Sequence, residues 1–525
     1  MTLLGFTHFD SANTKGSICD MLALKERADG VFRNKYVNLE STNNKLFVGR
    51  IVEGPFFVPE EVSRDSAFAQ TAILRGEEFK ALPNYYTLAR LELLGESRDG
   101  GRLFGTNTRP LPKTPVRDLT QDEIQKLIGI EGEMALGSLY GYPDVQVKLS
   151  AASKRVLPRN IGVFGTVGSG KTNTAQVIIE EASQNGYAVI VVDVEGEYVE
   201  MNQPTSESHL IPRLKAHGKD PQGLSDFQAF HPQASEASVP SSKPFSVPFR
   251  GIRPHVVSEL ADLTEPQEGV FLKIVEALQA EAVKRRGKSK SKSSALAFLE
   301  GDDVEAEELT LEAVISRVPE YAEQAGKGTQ WALSRKLEAL KRTRMFDSGP
   351  SLDARDLLKA GRVSVVDVSS VTSDAAKNLA IAWLLRLVFE AKLRDESAPK
   401  TLVVIEEAHT FVSRESKDRM TATLDMLKLI ARRGRKRWLG LMFISQQPSH
   451  LPDEVFELCN TRFVHGIKSE FNLRPLRNTS GDVVSELWDM VPALGPGQAL
   501  VVSPQFNHTV LVEVRPSYTK RRLTE

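Results

Sequence analysis

One octapeptide constrains this chain more than any other feature. Gly165-Thr-Val-Gly168-Ser169-Gly170-Lys171-Thr172 fits the pattern G-x-x-x-x-G-K-[ST]. The spacing has a mechanism. Glycines let the backbone curl so that successive N–H groups point at a β-phosphate, the lysine bridges β- and γ-phosphates, and the threonine hydroxyl is placed to ligate Mg²⁺. Its context fits. An apolar run, Asn160–Phe164, precedes it, a helical pattern over Thr172–Ser183 follows and stops near Gly186, and a second apolar run occupies Ala188–Val194. Strand, turn, helix and strand within about 35 residues make a βαβ unit, so the sheet is expected to be parallel. A helix beginning at the loop adds its positive dipole end to the phosphate cradle. Gly165, Gly168, Ser169, Gly170, Lys171, Thr172 and Asn173 are taken as the residues that embrace a nucleotide.

Other strands bring acids and amides to the same edge. Thr401–His409 reads TLVVIEEAH, an apolar strand ending in two carboxylates. In a parallel sheet that end lies beside the phosphate loop. Glu406 is then placed for the Mg²⁺ shell, and Glu407 to orient and deprotonate the attacking water. The alternative is the start of a solvated helix. Asp193-Val-Glu195-Gly196-Glu197-Tyr198 follows the second strand, and Glu197 is a candidate for the metal or water shell or, equally, a solvated turn acid. Ser445-Gln446-Gln447-Pro448-Ser449 follows another strand. Gln446 is either a γ-phosphate contact or part of a polar turn. Ile430–Arg437 carries Arg432, Arg433, Arg435, Lys436 and Arg437 at the end of a predicted helix. Cations there are favoured by the dipole alone; the sharper reading is an arginine finger from this cluster, given to a neighbouring subunit.

The chain has 525 residues, which suggests about three domains. Residues 1–145 alternate short strand-like runs with Gly, Pro and Asn turns, as in Lys45–Val52 and Tyr85–Leu94, and suggest a small barrel or sandwich. Residues 146–205 and 350–515 carry the α/β core, with further strands at Val363–Val368, Gly440–Ile444, Thr461–Gly466 and Ala499–Val502 and a long helix over Asp374–Leu393. Between them, 206–349 loses the strand rhythm and reads as a helical insertion, with Val270–Val283 and Trp331–Lys341 near period 3.6. Residues 516–525 form a tail. The basic run Lys284–Lys292 reads first as a solvated loop, second as a nucleic-acid contact. His209, His231 and His255 lack metal spacing.

Composition limits the function classes. With 67 Lys and Arg against 68 Asp and Glu the net charge is −1, so any anion-binding surface must be local. Two cysteines, Cys19 and Cys459, exclude a disulfide framework. The longest apolar runs, such as Tyr187–Val194, are far short of a membrane span. The first residues lack a basic segment followed by an apolar one. A cytoplasmic protein without membrane association is expected.

The order GTVGSGKT, DVEGEY, helical insertion, VIEEAH, ARRGRK, SQQPS resembles the HerA branch of the FtsK–HerA P-loop ATPases, over essentially the whole chain. The β-rich start resembles that family's HAS-barrel, and Arg109–Pro115 ahead of Gly137–Gly141 its lead-in. The resemblance implies a RecA-like core and a homohexamer that hydrolyses ATP with Mg²⁺ between subunits and moves double-stranded DNA through its channel. It implies Lys171 and Thr172 as phosphate and metal residues, Glu406 in the metal-side acid position where the family usually has Asp, and Glu407 as catalytic acid. Arg432 and Arg435 fall in the basic stretch and Gln446 in the sensor position. Arg433 stands where the family tends to have Glu, and Gln447 where Arg is common. Relatives commonly act with a separately encoded nuclease in DNA-end processing, or with a nuclease or sirtuin-type effector in anti-phage defence. Two further classes stay open on the sequence: a ring scaffold that assembles an effector without pumping DNA, and a monomeric metabolic kinase. The insertion and the arginine cluster argue against the kinase.

Overall fold

The computed structural model describes residues 2–9, 17–41, 45–59, 85–98, 102–286, 309–321, 326–415, 417–481 and 483–522. Most of the basic run Lys284–Lys292 therefore lies outside the described residues.

The first strands are β1 (Leu3–Thr7), β2 (Ile18–Ala23), β3 (Tyr36–Glu40), β4 (Leu46–Pro59), β5 (Tyr85–Arg98), β6 (Arg102–Phe104) and β7 (Pro115–Asp118). They lie in the order β2-β1-β7-β3-β4-β5-β6, and β2 also pairs with β5. Six strands thus close into an antiparallel barrel, with β6 attached outside the ring. Closure removes every free edge from those six, which decides between the two expected architectures. The interior is small and apolar: Leu4, Met21, Val37, Leu39, Phe47, Ile51, Leu91 and Val116.

The second sheet comprises β8 (Met134–Leu139), β9 (Tyr142–Leu149), β10 (Ile161–Phe164), β11 (Ala188–Asp193), β12 (Phe227–Pro232), β13 (Lys243–Phe245), β14 (Val363–Asp367), β15 (Thr401–Ile405), β16 (Leu439–Ser445), β17 (Thr461–Val464), β18 (Gln498–Val502) and β19 (Val510–Val514). The order is β13-β12-β14-β11-β15-β16-β10-β17-β18-β19-β8-β9. From β13 to β17 neighbours are parallel, and from β17 to β9 antiparallel.

Alternation along each strand builds two apolar layers. On β11, Ile190 and Val192 join one layer, Val189 and Val191 the other. On β15, Val403 and Ile405 oppose Leu402 and Val404 in the same way. The first layer takes the helix Asp374–Arg394, the helix Thr421–Gly434 and the insertion helices Pro254–Leu260, Glu265–Arg286, Leu311–Tyr321 and Lys327–Arg342. The second takes the helix Lys171–Gln184 and the helix Gln121–Ile128.

Two expectations differ from what is observed. The boundary expected at 145/146 would cut β9, because β8 and β9 pair with the large sheet through β19 rather than with the barrel. The segment 206–349 is not wholly helical, since β12 and β13 extend the parallel layer beyond β14. Both are short strands with Pro and Lys or Gln among their residues, so neither shows an apolar run.

Barrel and large sheet are joined by buried polar contacts. The Arg50 guanidinium, 1% exposed, pairs with Glu92 at 2.6 Å and donates to the Thr509 carbonyl at 2.6 Å. The Tyr142 hydroxyl accepts from the Tyr36 N–H at 2.8 Å.

Candidate active site

The phosphate loop leaves β10 at Phe164 and enters the helix at Lys171. Gly168 (φ +75°) and Gly170 (φ +104°) stand in the left-handed region, and a Cβ on Gly170 would lie 2.7 Å from the Gly497 nitrogen. Only glycine fits there. The loop is held from outside: the Thr166 N–H and hydroxyl both donate to the Gly466 carbonyl, at 3.2 and 2.9 Å, and Gly497 N–H donates to Ser169 O at 3.0 Å. The Ser169 hydroxyl and the Lys171 ammonium both donate to the Thr166 carbonyl, at 2.7 and 2.8 Å. Lys171 is buried, and burial lowers its pKa against the opposing pull of Glu407, Glu197 and Glu406. His465 supports the loop from below. Its Nδ1 faces the Gln498 carbonyl at 2.9 Å, so it donates there and Nε2 accepts from the Thr174 hydroxyl at 3.0 Å. Burial depresses its pKa to about 4, keeping the ring neutral.

A cavity of about 410 Å³ opens on the loop. Gly168, Gly170, Lys171 and Thr172 line one side, Glu195, Glu197, Glu406 and Glu407 the other, and Gln446 and Arg521 also border it. Parallel pairing explains the convergence. β10, β11, β15 and β16 run in one direction, so the residues after each strand end on the same edge.

The two acids after β15 differ in environment. Glu407 adopts φ 45°, ψ 48°, a left-handed conformation rare for a residue with a side chain and costing on the order of 1 kcal/mol. The turn aims its carboxylate into the cavity, where Gln446 Nε2 donates to it at 2.5 Å and His409 Nδ1 lies 3.1 Å away. Burial pushes its pKa up, but His409, Gln446 and Lys171 outweigh burial and hold it below the usual carboxylate range. Glu406 is buried the other way. One of its oxygens accepts the N–H groups of Val194 and Glu195, at 3.1 and 3.2 Å. Burial, then Asp193 and Glu197, raise its pKa well above the usual value. Asp193 itself accepts from the N–H groups of Gly196, Glu197 and Tyr198 and so shapes the turn that presents Glu195 and Glu197. Burial and Asp367 push its carboxyl up to about 7.

Among the described residues, no cluster of three or more His, Cys, Asp or Glu makes a self-sufficient metal site. The donor set nevertheless suits Mg²⁺, which is bound by one or two carboxylates completed by phosphate oxygens and water. Four carboxyls and a threonine hydroxyl share the cavity wall with Lys171 and Arg521, an excess of hard oxygen donors.

Of the residues singled out by sequence, Gly168, Gly170, Lys171, Thr172, Glu197, Glu406, Glu407 and Gln446 meet at this cavity, while Gly165 and Ser169 shape the loop beneath it. Asn173 does not reach it. Its amide donates to the Arg515 carbonyl at 2.9 Å and accepts from the Ser517 N–H at 2.8 Å. Arg432 and Arg435 are exposed at the end of the helix Thr421–Gly434, where β16 begins. The phosphate loop follows the opposite end of the parallel β10, so the arginines are separated from it by roughly 20 Å of strand. They do not border this chain's own cavity. His409, His465 and Arg521 were not expected, whereas Asp193 belongs to the acidic turn already expected at this edge. His409 alone had a local signal, its place two residues after Glu407.

Fold and site together define a P-loop nucleoside triphosphatase with a parallel RecA-like sheet. The profile of the central domain of the HerA helicase matches residues 134–388. The DNA double-strand break repair helicase HerA of Sulfurisphaera tokodaii is 23% identical over 489 residues, covering 91% of this chain and 87% of that protein. Its counterpart in Sulfolobus acidocaldarius is 23% identical, with 89% and 85% covered. Among solved structures, VirB4 of Thermoanaerobacter pseudethanolicus shares the fold, with a TM-score of 0.51, 16% identity, and 73% of this chain and 96% of that chain covered. The chain is a P-loop ATPase whose residues 134–388 match the HerA central-domain family and which is similar to HerA helicases along most of its length. Among its described residues no helix is long and apolar enough to cross a membrane.

Proposed function

We propose that this protein is an ATP-driven double-stranded DNA translocase that works as a homohexameric ring with a nuclease or sirtuin-type effector, in DNA-end processing or anti-phage defence. One observation carries the ring. The cavity joins phosphate loop, catalytic acid and sensor amide within one chain, while Arg432 and Arg435 stand exposed at the far end of the sheet. A neighbouring copy is the natural recipient of those guanidinium groups. The relatives named as DNA double-strand break repair helicases supply the substrate class.

In this reading Lys171 and the loop N–H groups grip the triphosphate. The Thr172 hydroxyl and Glu406 would hold a Mg²⁺ ion, which would supply charge neutralisation to the triphosphate. Glu407, already ionised, accepts the proton of a water attacking the γ-phosphorus in line. Gln446 shares its hydrogen bond between Glu407 and the γ-phosphate, so loss of that phosphate alters the contact. Arg432 or Arg435 of the neighbour neutralises transition-state charge, an effect worth about 10³–10⁵ in rate.

The test is ATP turnover at low salt with and without double-stranded DNA, where phosphate contacts are least screened. A translocase is expected to be stimulated by duplex, and Lys171→Ala to abolish turnover. Turnover indifferent to DNA, with Lys171→Ala rings still binding and activating an effector, would replace the motor with a scaffold.

A further inference from the structure

The segment Arg515–Arg522 runs back across the phosphate-loop helix as a strap. Arg515 pairs with Glu180 and Glu181 at 2.8 Å each, all three buried. Tyr518 and Thr519 N–H groups both donate to Glu180 at 2.9 Å. The Lys520 N–H donates to the Gln203 carbonyl at 2.8 Å, and the Arg522 N–H to the Glu197 carbonyl at 3.1 Å. Residue 521 is thus fixed on both sides by backbone hydrogen bonds, one of them to the turn that carries Glu197.

Arg521 borders two cavities at once: the 410 Å³ phosphate cavity and a smaller one of about 150 Å³ behind the loop, walled by Gly170, Asn173 and Gly497. Its Nε is buried and, among the described residues, has no hydrogen-bond partner. Guanidinium donors left unmatched are costly, and a ligand that supplies an acceptor removes the cost. The planar fork of arginine suits phosphate oxygens in particular. The cavity in front of it is already the one that Lys171 and the loop glycines build for phosphates.

We infer that Arg521 is a further nucleotide-binding residue, brought by the strap into its own chain's site to hydrogen-bond the phosphate chain of the bound nucleotide. This rests on the ATPase reading above and adds a cation in cis to the one expected from the neighbour. The strap then does two things with one backbone: it braces the phosphate-loop helix and delivers the contact.

The experiment is equilibrium binding of ATP, ADP and adenosine, read by competition with a fluorescent ATP analogue, for wild type, Arg521→Ala, Arg521→Lys and Lys171→Ala. The expected result is a loss of about tenfold or more in ATP and ADP affinity for Arg521→Ala, with partial recovery in Arg521→Lys and adenosine binding unchanged. An equal loss for all three ligands would mean that the strap had merely shifted, and overturns the proposal. Unchanged ATP and ADP affinity in Arg521→Ala, with Lys171→Ala still defective, also overturns it while leaving the ATPase reading intact. Wild-type protein that binds no nucleotide removes both.

Discussion

In the proposed reaction Glu407 is the group prepared for proton transfer. It is placed by a strained turn and kept ionised by three neighbours, His409, Gln446 and Lys171. Glu407→Gln is expected to lower kcat by about 10²–10⁴ with ATP affinity largely retained, checked by single-turnover hydrolysis beside equilibrium binding. His409 tests the support. Because the Glu407 pKa lies below the usual value, the base is competent at all higher pH and is lost only as pH falls through that lowered value. In His409→Ala one of the groups depressing it is gone, so the acid limb of kcat against pH should move upward, with little change on the alkaline side. The sequence located Lys171, Thr172, Glu406, Glu407 and Gln446 because each follows a recognisable strand or glycine turn. Asn173 lies off that cavity, and its partners Arg515 and Ser517 lie some 340 residues further along the chain, a distance no local pattern reports.

At the scale of elements, the phosphate-loop helix is held by chemistry its own amphipathic pattern does not reveal. Nearly every face of Lys171–Gln184 is buried, including Glu180 and Glu181, which in an isolated helix would read as solvent-facing. Arg515 matches both. Replacing one partner of a buried ionic network leaves the others uncompensated, so Arg515→Ala is expected to cost about 3–5 kcal/mol, measured by denaturant unfolding. The helix Thr421–Gly434, which carries Arg432 in its last turn, is likewise fixed from a distant segment. Glu259 of the insertion accepts the N–H groups of Ala422 and Thr423, at 2.7 and 2.9 Å, at its start. Central strands such as β11 and β15 were legible as continuous apolar runs because both faces are covered. The outlying strands β12 and β13 were not, because β12 is held by pairing with β14 and β13 by pairing with β12 rather than by their own composition.

For the whole molecule, the separation of Arg432 and Arg435 from their own cavity sets a complementation experiment. Lys171→Ala protomers and Arg432→Ala/Arg435→Ala protomers should each be inactive alone. Mixed into one ring, they should regain part of the ATPase activity, because an intact phosphate loop then meets an intact arginine pair at some interfaces. Absence of any recovery in rings shown to be mixed would remove the shared site. The buried Arg50 contact has a mechanical corollary. Thr509, which it grips, immediately precedes the strand β19, and an unbroken ladder of hydrogen bonds passes from β19 through β18 and β17 to β10 and so to the phosphate loop. A load hung on the barrel is therefore carried into the catalytic layer by stiff backbone rather than absorbed by a pliant joint. Cutting that linkage at Arg50 would let the two bodies sway independently.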